Sequence, residues 1–328
     1  LTLMADGEIG AVIHNQPSHG GMEADVELWV SADGGNTWDM RSRITDHQPG
    51  YNRMNVAAGL NAGGDLVVLC SGWNLQKRER TVVESDILAP QVLVSSDAGR
   101  SWELTGEMPM PPGAENAIPF GDIVIGPDGL AVSCYAAWYD DGHLVRNSAF
   151  VARSADGGRS WGNFSTIAED NFNETDLLIY GDTWLAACRS RYGPTDSRDP
   201  ALPSQPTVQL YVSEDGGRNW QPGPWLTRPS QHPAHLTQLA NDSILLTYGS
   251  RMQELYGVVG QLSEDGGQSW SQPFVIAGGL DGGDCGYPSD VQLDSGEIVT
   301  AYYAKSAPWC QRYHMGVVRW SLDMLDIG

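Results

Sequence analysis

The sequence predicts an all-β chain folded as a six-bladed β-propeller of four-stranded antiparallel blades. Three observations predict it. One octapeptide recurs five times along the 328 residues, and the stretches between its copies repeat a strand–turn–strand pattern. The composition, with 39 glycines, 19 prolines, 12 tryptophans and 12 tyrosines, suits many short strands joined by tight turns.

The octapeptides are SADGGNTW from Ser31, SSDAGRSW from Ser95, SADGGRSW from Ser154, SEDGGRNW from Ser213 and SEDGGQSW from Ser263, at intervals of 64, 59, 59 and 50 residues. The shared pattern, S-x-D-x-G-x-x-W, is the Asp-box. Its Ser and Asp bond backbone groups within the turn. Its glycines supply positive φ, and its Trp packs a large ring between blades. The boxes therefore read as scaffold, not as metal or substrate sites.

The second pattern runs through MNVAAGLNAGGDLVVLCSGW, FGDIVIGPDGLAVSCYAAW, TDLLIYGDTWLAACRSR, AHLTQLANDSILLTYGSR and SDVQLDSGEIVTAYYAK. Each unit reads as strand, turn, strand, link, strand, box, strand. The last unit, from Tyr287 to about Asp323, has no box, so five boxed units and one unboxed unit make six. The first unit, LTLMADGEIGAVIHN, holds only the end of a first strand before its turn at Asp6-Gly7. A single domain over residues 1–328 is expected, with the first strand of blade one incomplete.

Charge excludes some functions. With 19 Lys and Arg against 41 Asp and Glu, the net charge is −22 and the pI about 4.4. Long-range repulsion argues against nucleic acid and against an anionic membrane surface. No apolar run approaches the roughly 18 residues of a membrane span. The chain opens at Leu1 without a Met or an apolar leader, which reads as a mature or trimmed chain, secreted or periplasmic. Cys70, Cys134 and Cys188 stand in similar apolar runs and read as buried thiols. Cys285 and Cys310 are the pair left for a disulfide, which the sequence does not decide. No CxxC or HExxH occurs, so neither a metal nor a cofactor is expected. The oligomeric state stays open.

Strand direction selects the functional end. Antiparallel pairing puts the starts of first strands and the ends of second strands on one face, near the channel, and the boxes on the other. First-strand starts supply Asn52, Arg53, Phe120, Asp122, Glu174, Asp176, His232, His235, Asp284 and Tyr287. Second-strand ends supply His14, Trp73, Trp138, Tyr139, Arg189, Arg191, Arg251, Tyr303 and Lys305. Arg53, Arg189 and Arg251 stand out in so acidic a chain. Guanidiniums that converge on one point suit a carboxylate. The plainer readings are ion pairs of Arg189 and Arg251 with Glu174 or Glu254, a rim position for Arg53, and solvated loop positions for His14 and His19. Trp73, Trp138 and Tyr139 are either blade packing or a sugar platform.

These residues resemble the Asp-box exo-sialidases, over most of the chain. NETDLLIYGDTWLAACR is similar to the segment in which a Glu opens one strand and an Arg closes the next. HLTQLANDSILLTYGSR resembles the blade that supplies a further carboxylate-binding Arg, and GYPSDVQLDSGEIVTAYY the segment of the nucleophilic tyrosine. The resemblance implies that Glu174 partners Tyr287 and that Arg189 and Arg251 bind the sugar carboxylate. Sialic acid carries that carboxylate on its anomeric carbon, where a neutral phenol meets less repulsion than a carboxylate nucleophile. A phenol of pKa ~10 needs a base, and a neighbouring Glu can take its proton.

The family's first Arg lies in an RIP motif that is missing here. Its place falls just before Leu1, and Arg53 is the candidate substitute. The family's acid/base falls in HNQPSHGGMEADVELWVS, where His19 stands nearest the expected position and Glu23 and Asp25 are alternatives. An imidazole with pKa near 6.5 can act as general acid. His14, Asp122 and Trp138 are further candidate substrate contacts.

Three functions follow. The first is a retaining exo-glycosidase acting on a terminal acidic sugar such as sialic acid, on an acidic glycan or sialoglycoconjugate. The second is a propeller lyase acting on a uronate, in which Arg neutralises the carboxylate while His and Tyr move protons. The third is a non-catalytic glycan-binding propeller.

Overall fold

The computed structural model describes residues 1–17, 20–77, 86–141, 143–193 and 205–325. Blade one comprises β1 (Thr2–Leu3), β2 (Ile9–His14), β3 (Val26–Ser31) and β4 (Asp39–Arg43). Blade two comprises β5 (Tyr51–Leu60), β6 (Leu66–Asn74), β7 (Gln91–Ser95) and β8 (Glu103–Glu107). Blade three comprises β9 (Ile118–Gly126), β10 (Gly129–Asp140), β11 (His143–Ser154) and β12 (Gly162–Ala168). Blade four comprises β13 (Phe172–Tyr180), β14 (Thr183–Ser190), β15 (Thr207–Ser213) and β16 (Gln221–Trp225). Blade five comprises β17 (Gln231–Gln238), β18 (Ile244–Ser250), β19 (Gly257–Ser263) and β20 (Phe274–Ala277). Blade six comprises β21 (Cys285–Gln292), β22 (Ile298–Ala304) and β23 (His314–Trp320), three strands among the described residues where four were expected. Pairing within each blade is sequential and antiparallel, and the inner strands β5 and β9 also touch in parallel at Ala57–Gly121 and Ala58–Asp122.

Burial is greatest in the second strands, one layer out from the channel, and least in the outermost. Second strands such as β6 and β18 are buried on both faces and read as continuous apolar runs, whereas the outer strands β4 and β8 are polar and largely exposed. The core is a ring of clusters between blades. Leu28 packs on Leu66 and Trp102 between blades one and two, and Leu69 on Val132 and Trp161 between two and three. Ala131 meets Leu177 and Trp220, and Leu210 meets Leu236 and Trp270, at the next two seams. Val258 packs on Cys285 and Tyr302 between blades five and six, and Ile9 meets Val291, Val299 and Trp38 where the ring closes. Every box Trp thus lies on the seam with the preceding blade, as the sequence predicts.

The box chemistry is local. Ser154 Oγ donates to Asp156 Oδ1 at 2.8 Å and accepts the Gly158 N–H at 2.9 Å. Asp156 Oδ1 accepts the N–H groups of Arg159 and Ser160, and Trp161 Nε1 donates to Gly158 O. A Cβ on Gly158, whose φ is +91°, would come within 2.7 Å of Val67 on blade two, so the turn needs glycine for conformation and for close approach. Hydrogen bonds from the backbone and hydroxyl of Thr37 hold Asp33 down to about 2, and those from the hydroxyl and backbone of Ser269 do the same for Asp265. Cys70, Cys134 and Cys188 are buried at equivalent places on β6, β10 and β14, and burial pushes each to about 12. Cys285 and Cys310 are both free thiols, so the disulfide left open by the sequence does not form.

Candidate active site

The inner strands of blades two to six share a device that the sequence did not disclose. Each carries a register irregularity at its pocket end: near Met54–Val56 in β5, Phe120–Ile123 in β9, Phe172–Thr175 in β13, Gln231–Ala234 in β17 and Gly286–Ser289 in β21. Such bulges leave residues unpaired and re-aim their side chains. Glu174, His232 and Tyr287 all lie inside them. Tyr287 takes φ +52°, a left-handed conformation that costs a non-glycine residue about 1–3 kcal/mol.

These bulges bring together four residues named from the sequence. The Tyr287 hydroxyl donates to Glu174 Oε1 at 2.5 Å, from blade six to blade four. Glu174 is 6% exposed, and its other carboxylate oxygen accepts Arg189 Nη1. The ion pair of Arg189 with Glu174 therefore forms, and the same Glu also holds the tyrosine. Arg251 stands over the Tyr287 ring, 5.5 Å from its centroid. Its Nε donates to Cys285 O at 3.1 Å and its Nη2 to the Tyr303 hydroxyl at 3.4 Å. Burial, and then the Glu174 charge, raise Tyr287 above the ordinary phenol value, so the resting hydroxyl keeps its proton. Burial pulls Arg189 down, but Glu174 outweighs it and holds the guanidinium above its ordinary value.

A cavity of about 340 Å³ opens beside Tyr287, with Phe120, Ser289, Tyr303, Tyr313, Asn55 and His14 among its lining residues. Its wall is aromatic. Phe120 meets the Tyr287 ring edge-on at 5.9 Å, and Tyr303 lies 5.5 Å from Tyr287 on another side. Asp284 accepts both the Tyr303 hydroxyl, at 2.7 Å, and the Tyr313 hydroxyl. Tyr313 and Tyr135 were not among the sequence candidates. Tyr135 is raised well above its ordinary value by burial first and then by Glu174 and Tyr287. In the run AVSCYAAW it looks like any core aromatic.

The other candidates have partners of their own. Arg53 does not join Arg189 and Arg251. It is 5% exposed, and its guanidinium donates to Ala89 O at 3.0 Å and Gln48 Oε1 at 3.5 Å. Trp138 carries the Arg146 guanidinium on its ring at 4.0 Å and packs against the core between blades two and three. His14 lines the cavity and bonds Asn52 Oδ1 and Gln16 Nε2, each at 3.0 Å. His19 lies outside the described residues. Glu23 accepts the Gly50 N–H at 2.6 Å, and Asp25 takes Thr45 Oγ1 and His47 Nδ1, so both turn toward the segment after β4.

Asp122 faces the channel axis. Its carboxylate lies 3.3 Å from His235 Nε2, while His235 Nδ1 lies 3.2 Å from Asp290. Thr247 and Thr300 donate to Asp290. Burial opposes a charged His235, but Asp122 and Asp176 overcome it and raise the imidazole well above its ordinary value. Burial raises Asp176 to about 6, and its two oxygens accept the N–H groups of Asp122 and Leu236. Ligand atoms of Asp122, Asp176 and His235 lie within 4.8 Å of one another, the spacing of a cation site, and here they bond each other and the backbone.

The chain was compared with known proteins. A family model described as a BNR repeat-like domain matches residues 19–300. A curated sialidase of Micromonospora viridifaciens is 24% identical over 286 residues, which is 71% of this chain and 43% of that protein. The chain thus spans less than half the length of the curated relative it matches. A protein of unknown function from Dyadobacter fermentans superposes with a TM-score of 0.78 at 20% identity, over 97% of this chain and 92% of that one. Trypanosoma rangeli sialidase bound to the inhibitor DANA superposes with a TM-score of 0.71 at 15% identity, over 97% and 54% of the two chains. The two superpositions agree on the fold, and with the family model spanning most of its length the chain belongs to the BNR repeat-like family.

Proposed function

We propose that this chain is a retaining exo-glycosidase that removes a terminal acidic sugar, with sialic acid the sugar that best suits its residues. The observation that carries this reading is the 2.5 Å contact between the Tyr287 hydroxyl and Glu174, with Arg189 on the other carboxylate oxygen. A lectin has no need of a base on that tyrosine. Arg189 and Arg251 hold the sugar's carboxylate and orient the ring. Tyr287 passes its proton to Glu174 as its oxygen bonds the anomeric carbon and the exocyclic C–O bond breaks. The departing oxygen takes a proton from the stretch between β2 and β3, where His19 is the assigned acid. Water then cleaves the tyrosyl–sugar bond, with the proton flow reversed.

A fluorogenic α-sialoside tests the reading. Release of the fluorophore, with the α anomer as first product by NMR, supports it. An unsaturated uronate absorbance from a uronate polymer, without sialoside cleavage, would make the chain a lyase. Binding of sialoglycans without turnover would make it a glycan-binding propeller.

A further inference from the structure

His232 stands at the start of β17 and is 4% exposed. Among the described residues neither of its ring nitrogens has a hydrogen-bond partner. Nδ1 is fully enclosed, and Nε2 is not among the enclosed atoms. A buried polar group left unpaired is uncommon. Nε2, which is not enclosed, is the nitrogen a ligand can reach.

The charges nearest the ring indicate what enters. They are the guanidiniums of Arg189 and Arg251. Burial and these two cations push the imidazole down to about 2, so at neutral pH it is an uncharged ring that offers one N–H donor. Both arginines keep donors in reserve. Arg189 bonds Glu174 through Nη1 alone, and Arg251 uses Nε and Nη2, so among the described residues Arg189 Nε and Nη2 and Arg251 Nη1 have no partner. With the imidazole N–H, the ring and the two guanidiniums whose charge it feels offer four donor nitrogens. A carboxylate has about four lone-pair positions.

We propose that His232 is the third member of the acid-binding group, donating from Nε2 to the substrate's carboxylate beside Arg189 and Arg251. This inference rests on the acidic-sugar reading above. It adds a neutral donor where a third cation would otherwise be expected. Arg53, the sequence candidate for that place, is committed to Ala89 and Gln48.

The test is calorimetric titration of the full chain with N-acetylneuraminic acid and with its methyl ester. The wild type is expected to prefer the acid. His232→Ala and His232→Phe are expected to weaken acid binding about 10-fold, leave ester binding within about 2-fold, and so collapse the preference. His232→Gln, whose amide can donate, restores part of it. A merely structural histidine would shift both ligands together and would not be rescued by Gln. An unchanged acid-to-ester ratio in the Ala and Phe variants overturns the inference and leaves the acid site standing. A wild type without acid preference, or one that binds neither ligand, overturns the acid site and this inference with it. Urea denaturation of each variant identifies any that fail to fold, and whichever of the two non-donating variants folds carries the comparison with Gln.

Discussion

At the box end of the propeller, Ser154 and Asp156 find their partners within four residues along the chain. At the pocket end, Glu174 on blade four takes Tyr287 from blade six, 113 residues away. One end satisfies its polar groups by turn chemistry and repeats itself blade after blade. The other shares them between blades and keeps donors of Arg189, Arg251 and His232 unpaired among the described residues. Local satisfaction suits a scaffold, because each turn forms without the rest of the ring. Shared and incomplete satisfaction suits a site, because a ligand can supply what is missing.

If that contrast holds, changes at the pocket end should cost activity and changes at the box end should cost stability. The largest effect expected is from Tyr287→Phe, which should lower kcat by at least about 10³-fold while moving the thermal midpoint by only a few degrees. Glu174→Gln should follow, at about 10²- to 10⁴-fold. A Tyr287→Phe enzyme with near wild-type turnover would remove the nucleophile from the scheme.

Next comes the channel centre. His235→Gln leaves Asp122 and Asp290 without their cation and should destabilise the fold by about 3–5 kcal/mol below pH 6.5. The folded-state pKa of His235 is raised, so its contribution is complete below the unfolded value near 6.5 and fades as pH rises through the folded value. Urea midpoints for wild type and variant should converge with rising pH. A constant gap would contradict the charged-imidazole assignment.

Smaller is Ser154→Ala. It leaves the buried Gly158 N–H unpaired and should cost about 1–2 kcal/mol with an unchanged m-value, while kcat/KM stays within about 2-fold. Loss of activity without loss of stability would reverse the assignment of the two ends.

A last comparison separates two histidines three residues apart on β17. His232 is depressed where His235 is raised, so its linkage has the opposite sign. Below about pH 6.5 the unfolded chain takes up a proton that folded His232 refuses until about pH 2. Wild-type stability should therefore decline relative to His232→Gln as pH falls through that window. Parallel pH profiles would place His232 away from the two guanidiniums.

These two histidines mark how far the chain could be read in advance. In HPAHLTQ both appear as inner-strand polar residues of one kind. Only the neighbours separate them, two arginines for one and two aspartates for the other, and those neighbours come mainly from other blades. Arg53 makes the same point in reverse. It stands at the pocket end of its blade and has the residue type of a carboxylate binder, yet the Ala89 carbonyl takes its guanidinium. The bulges that aim Glu174, His232 and Tyr287 are marked unevenly, because Pro233 and Pro288 stand inside two of them, where a residue without an N–H fits, while Phe172–Thr175 holds neither Gly nor Pro.

By itself the sequence determined the Asp-box turns, the six-blade count and the end of the propeller that carries the polar residues. Each depends on contacts between residues a few positions apart, or on the direction in which a strand runs. It also named Tyr287, Glu174, Arg189 and Arg251, through residue type and resemblance. Only the tertiary structure decided that these four meet, that Arg53 and Trp138 are otherwise engaged, that blade six has three described strands, and that a buried imidazole nitrogen is left unpaired where the charges of Arg189 and Arg251 reach it. Those outcomes depend on how six blades pack around one channel, and packing brings together side chains whose sequence separation carries no trace of their contact.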